Sequence, residues 1–170
     1  FFHHSGYEAD RRMNTLYGDR RQLYFDEVNR RQVDILVDEF EMCHLIPLAR
    51  RLKVDEQTLP LTELLLTKVQ IVEMNEKDVL AACAILMDHD LGNEDGETIN
   101  ISILQTLCGD DWGLFTTIQD NLIMIQDRLA GHKIRLPDTE AENLLVRLEN
   151  LSRTLLTCPK TTRWKMRSLV

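Results

Sequence analysis

No apolar run in this chain reaches the roughly 18 residues that a bilayer-spanning helix needs, and no secretory signal stands at its start. No membrane partner is therefore expected. Cysteine is sparse. Cys43, Cys83, Cys108 and Cys158 lie far apart and form no Cys-x-x-Cys pair. That spacing indicates neither a zinc site nor a disulfide framework, and free thiols in a reducing cytoplasm are the reading that follows. An excess of positive charge is missing too. The chain carries 20 Lys and Arg against 28 Asp and Glu, a net charge of -8, which argues against general DNA or RNA coating. The sequence has no Gly-x-Ser-x-Gly, P-loop, His-Glu-x-x-His or Gly-x-Gly-x-x-Gly. It has no internal repeat and no low-complexity stretch.

What is present suits a globular fold of one domain, or one domain with a helical extension. Of 170 residues, 44% are hydrophobic and 28% charged, enough to bury a core. Residues 1–5 read as the end of a helix closed by Gly6. Residues 11–18 read as a polar turn segment, with Asn14 and Gly18 as turn formers. Two runs rich in β-branched and aromatic residues, 22–25 and 32–38, predict strands joined by a hairpin loop over 26–31. Residues 44–48 predict a short extended piece interrupted by Pro47, and 49–52 a short helix. Leu91 to Gly96 reads as a loop and everything beyond it as helix. Asn100 is a candidate cap. Leu114, Ile118, Leu122, Ile125 and Leu129 share one helical face. Thr139 with Glu142 matches a capping box, and Leu144, Leu145, Leu148, Leu151 and Leu155 continue that last helix. The fold class is thus α+β: a short hairpin at about 20–38, incomplete as a sheet, then a mostly helical part. The divisions predicted are 1–58, a helical region 59–158 and a basic tail 159–170.

The stretch 59–90 is the most unusual. Leu61, Leu64, Leu65, Ile71 and Val72 fall at helical spacing, and Lys68 falls among them. An ammonium inside an apolar stripe needs water or an acceptor. After a break near Met74 and Asn75, Asp78 stands on the face of Ala81, Ala82 and Ile85. One reading of Lys68 is a snorkelling or ion-paired lysine; the other is a phosphate contact. Asp78 is either a helix-start acid beside the cap Asn75 or an ion-pair partner that orients Lys68. Asp34 sits in mid-strand, where aspartate is disfavoured. It is either a solvated residue or a carboxylate held rigidly for a magnesium ion. Asp38, about 13 Å further along the strand, is too far to share that ion. Asp88-His89-Asp90 reads as a solvated helix end, Cys43-His44 as no recognisable nucleophile pair, and Trp112 and Phe115 as core aromatics.

Four segments together resemble a known family. They are Arg31-Gln32-Val33-Asp34-Ile35-Leu36-Val37, Phe40-Glu41-Met42-Cys43-His44, Leu61-Thr62-Glu63-Leu64-Leu65-Leu66-Thr67-Lys68-Val69-Gln70 and Asn75-Glu76-Lys77-Asp78. In order and spacing they look like a bacterial family of predicted nucleotidyltransferases, similar in layout to abortive-infection nucleotidyltransferase toxins. The resemblance spans roughly residues 6–130. It implies a polymerase-β-like nucleotidyltransferase fold, with the hairpin as part of its sheet. Asp34 would be the third metal-binding carboxylate and, with Lys68, a catalytic residue. Lys68 and Asp78 would contact the nucleotide. The reaction implied is magnesium-dependent transfer of a nucleotidyl group from a nucleoside triphosphate to an acceptor such as tRNA, a protein hydroxyl or a small molecule.

The chain departs from that pattern at one place. The family's Gly-Ser turn followed by an Asp-x-Asp strand is absent: Gly18-Asp19 lacks the serine and the paired acid. The first residue is Phe1, and the expectation is that this motif lies upstream and that the 170-residue chain alone is inactive. Two alternatives stand beside the enzyme. One is a non-catalytic binding module or toxin–antitoxin component with the same fold. The other is a helical interaction domain in which Asp34, Lys68 and Asp78 form structural ion pairs.

Overall fold

The computed structural model describes residues 2–169, apart from the side chain of His3. It is α+β, with three small sheets and seven α-helices among the described residues. A 3-10 turn over Phe2–Ser5 ends at Gly6, whose φ of +79° is the left-handed conformation glycine adopts without penalty. β1 (Glu8–Ala9), β2 (Arg21–Asp26) and β3 (Arg31–Leu36) form an antiparallel sheet in that order, with Leu23 opposite Asp34. The hairpin is tied by Asp26. Its carboxylate accepts from Asn29 N–H, Asn29 Nδ2 and Arg31 Nε.

Where a turn segment was expected, α1 (Arg11–Tyr17) forms instead. Asp10 caps it by accepting from Met13 N–H. Asn14 lies within the helix, and its side chain bridges to β2, donating to Leu23 O at 3.0 Å and accepting from Leu23 N–H at 2.6 Å. The second strand ends two residues early, because Asp38 turns to φ +60°. The Asp38 carbonyl then accepts from Leu48 and Ala49 N–H.

β4 (Glu39–Glu41) and β5 (Leu45–Pro47) make a second hairpin, where only the second strand was anticipated. The short helix expected at 49–52 is a 3-10 turn at Arg51–Lys53. α2 (Leu61–Val69) and α3 (Glu76–Asp88) follow. Next come β6 (Asp90–Gly92) and β7 (Thr98–Asn100), paired in parallel where a loop and then helix were expected. That pairing is close: a Cβ on Gly92 would lie 2.4 Å from Thr98 Oγ1.

α4 (Ile101–Asp110), α5 (Trp112–Ala130), α6 (Asp138–Thr157) and α7 (Thr162–Arg167) complete the chain. Asn100 caps α4 as its position suggests, accepting from Ser102 N–H. The expected Thr139–Glu142 capping box does not form. α6 starts two residues earlier than that cap requires, directly after Pro137, so Thr139 already lies inside the first turn.

The core lies between the helices. Leu65, Leu66, Val79, Leu86, Leu104, Ile118, Leu122, Ile125, Leu148 and Leu155 are all at most 1% exposed. The five expected α5 positions are buried, as are four of the five on α6, with Leu145 on the flank. Among the described residues, no fully buried apolar side chain comes from β1, β2 or β3; the first along the chain is Ile46.

Candidate functional site

α2 stops at Val69, and that sets the geometry around Lys68. Asn121 on α5 donates through Nδ2 to the carbonyls of Val69 and Ile71, both at 2.8 Å, satisfying the end of the helix. Gln70 is fully buried, and its Oε1 accepts from His44 N–H at 2.8 Å. Ile71 and Val72 therefore lie beyond the helix, and Val72 is 63% exposed. The predicted face is displaced accordingly. Thr62, Leu65, Leu66 and Val69 point inward, while Leu61, Leu64 and Lys68 flank them.

Lys68 is thus not an inward cation. Its ammonium lies 3.6 Å from Asp78 Oδ1, and the two side chains are 36% and 14% exposed. Asp78 N–H donates to Asn75 Oδ1 at 3.0 Å, so Asp78 occupies the first turn of α3. Both readings made for Asp78 hold together: helix-start acid and partner of Lys68. At this exposure the pair adds less than about 1 kcal/mol to stability.

Asp34 belongs to a different neighbourhood. It is exposed on the β1–β3 sheet. Its Oδ1 accepts from Arg21 Nε at 2.8 Å and lies 2.7 Å from Arg21 Nη2, while its Oδ2 accepts from Gln32 Nε2 at 2.8 Å. No hydrogen bond or ion pair among the described residues joins Asp34 to Lys68 or Asp78. Asp34 and Lys68 are held by separate partners, Arg21 and Gln32 for the one and Asp78 for the other.

Magnesium prefers several hard oxygen ligands. Asp34 offers a single carboxylate that already has two protein partners, and among the described residues no group of three His, Cys, Asp or Glu side chains is placed to hold a metal.

The deepest charge among the described residues went unread in the sequence. Glu63 is 1% exposed. Arg51 grips it from the 3-10 turn and also grips Asp95 in the β6–β7 loop, at 2.5 and 2.9 Å. Asn100 Nδ2 donates to Asp95, and Asn100 N–H donates to Thr62 Oγ1. Hydrogen bonds that Arg51 donates to Asp95 and Glu63 push its pKa further up, and Arg51 holds the Asp95 carboxyl below its usual range. A glutamate within the run Leu61 to Leu66 was the available signal. Its partner lies twelve residues upstream, in a 3-10 turn too short to show a period.

A cleft of about 610 Å³ opens between Cys43, His44, Asp111, Trp112, Arg163 and Arg167. His44 Nε2 and Thr117 Oγ1 are 2.8 Å apart. Burial lowers the His44 pKa, partly offset by Asp111. Asp111 itself caps α5 by accepting from Leu114 N–H. At the Asp88-His89-Asp90 segment, Arg147 donates to the carbonyls of Leu86, Met87 and His89 and pairs with Asp90. That segment is a helix end closed by a guanidinium.

No family model matches this chain, and no curated protein or solved structure matches it either.

Proposed function

We propose that this chain is a nucleotidyltransferase-like module that binds the triphosphate of a nucleotide through Lys68. The observation that carries the reading is the Lys68–Asp78 pair. A lysine side chain more than one third exposed has its ammonium held by one carboxylate across the junction of two helices. Such an ammonium keeps donors available for phosphate oxygens, and Asp78 fixes its direction. The order of the Asp34, Lys68 and Asp78 segments supports the same reading by resemblance. Magnesium enters it through Asp34 alone, and a complete site takes carboxylates beyond those gathered here. The acceptor classes in this reading are those the resemblance implies: a tRNA, a protein hydroxyl or a small molecule.

The test is equilibrium binding of a fluorescent nucleoside triphosphate to the protein, with and without magnesium. Lys68→Met is expected to weaken binding about tenfold or more, the loss of a charge-assisted contact. Asp34→Asn is expected to remove the magnesium dependence. Unchanged binding in both variants overturns the proposal.

One observation favours a second reading, a helical interaction domain. Asp34 and Lys68 each already have a protein partner of opposite charge. Under that reading Lys68→Met is neutral or stabilising and no triphosphate binds.

A further inference from the structure

α6 ends at Thr157, and the chain then turns extended through Cys158, at φ -65° and ψ 149°, into Pro159. The turn points the Cys158 thiol inward, leaving that residue 5% exposed. Its Sγ donates to Leu155 O at 3.2 Å. Two residues on, Lys160 folds back over the same carbonyl. Its Nζ donates to Leu155 O at 2.7 Å and stands 3.1 Å from Cys158 Sγ. Aromatic rings hold it there: Nζ lies 3.9 Å from the centroid of Phe115 and 5.1 Å from that of Trp164. A thiol and an amine are therefore fixed in contact by a shared carbonyl and two rings.

We propose that Cys158 and Lys160 are a modification site, joined through a sulfur–nitrogen bond when the protein meets a peroxide. In the first step the sulfur attacks one peroxide oxygen. The S–O bond forms as the O–O bond breaks, the thiol is oxidised to a sulfenic acid, and the other oxygen leaves as water with the thiol proton. In the second step the Lys160 ammonium gives one proton to solvent, and the resulting amine nitrogen attacks that sulfur. The S–N bond forms, the S–O bond breaks, and water leaves carrying one amine hydrogen. One thiol, one amine and one peroxide give one sulfenamide and two waters. The neighbouring thiol, Cys108, competes poorly. It is fully buried, and burial above all pushes its pKa up to about 12, so little thiolate forms. The modification replaces the ammonium over Phe115 with an uncharged nitrogen and so loosens the seat of α7. This inference does not rest on the nucleotidyltransferase reading.

Trypsin tests it, because substitution on the lysine nitrogen blocks cleavage after Lys160. The Cys43→Ser protein, folded, is treated with hydrogen peroxide and digested. Untreated protein yields the peptide 154–160. Treated protein is expected to yield 154–163, lighter by about 2 Da than the same sequence with a free thiol and amine. Dithiothreitol should convert it back to 154–160 on redigestion. Lys160→Arg, which keeps the cation over the ring, should abolish the product, and Cys108→Ser should leave it. Three outcomes overturn the proposal: oxygen added at Cys158 with cleavage after Lys160 intact, a Cys108–Cys158 disulfide, or no reaction in the folded protein.

Discussion

The guanidinium of Arg51 meets the carboxylate of Glu63 at two points, Nε to Oε1 at 2.6 Å and Nη2 to Oε2 at 3.1 Å. This pair fastens the start of α2 to the chain that leads in from the second hairpin. Because Glu63 is 1% exposed, Arg51 has no alternative partner of equal depth. Glu63→Ala removes two charge-assisted bonds and leaves the largely buried Arg51 with Asp95 as its remaining acidic partner, and it is expected to cost about 1.5–3 kcal/mol. Asp95→Ala, at a side chain that is 25% exposed, should cost less. Urea denaturation of both variants checks the order.

Protons act on the same network from the acid side. The folded pKa of Asp95 lies below its ordinary 3.8. A depressed carboxyl contributes stability that is fully present above the unfolded value and disappears as pH falls through the folded one. His44 has the same sign. Burial holds its pKa below 6.5, so the unfolded chain takes up the proton first and stability declines as pH falls from about that value. Two steps are expected in a plot of unfolding free energy against pH, one beginning near 6.5 and one below 3.8. His44→Gln should remove the first, and Asp95→Asn should shrink the second, which Asp26 and Asp55, also held below their ordinary value by hydrogen bonds, share.

The displaced face of α2 separates two apolar residues that look alike in the sequence. Leu66 is 0% exposed, and Leu66→Ala should cost about 2–5 kcal/mol. Val72 is 63% exposed and lies beyond the helix, so Val72→Ala should stay within about 0.5 kcal/mol. Equal losses in thermal denaturation would contradict the burial described here.

Gly92 gives a fourth expectation. A methyl group there would lie 2.4 Å from Thr98 Oγ1 and 2.9 Å from Thr98 Cβ. Gly92→Ala must push β6 and β7 apart, at a cost of about 1–3 kcal/mol. Gly96→Ala, at φ +103°, meets nothing within 4 Å, so its cost is conformational alone. Denaturation midpoints for the two variants, set beside loss of amide protection at Ile99, distinguish the mechanisms.

The long helices were legible because their apolar repeats are unbroken: Leu114 to Leu129 on α5 needed no tertiary knowledge. The hairpin around Asp34 was legible from its β-branched residues. α1 was not, because Asn14 and Gly18 carry a turn signature. The structure spends Asn14 instead on a bridge to Leu23, a contact nine residues away. β6 and β7 are too short to show a period. At the site, the Lys68–Asp78 pair followed from helical spacing and a cap. The placement of Asp34 did not, since facing elements are a property of the whole chain. Arg51, Glu63 and Asp95 escaped for the same reason, being three segments joined only by folding.

The left-handed turn at Asp38, whose carbonyl is held by Leu48 and Ala49, has one more consequence. It marks where the chain passes from a sheet that has no fully buried apolar residue of its own to a bundle that has the core. Local opening free energies follow buried apolar contact. The β2–β3 amides should therefore exchange with solvent through openings that leave α5 intact. Asp34 would then gain and lose its partners far more often than Lys68 changes place.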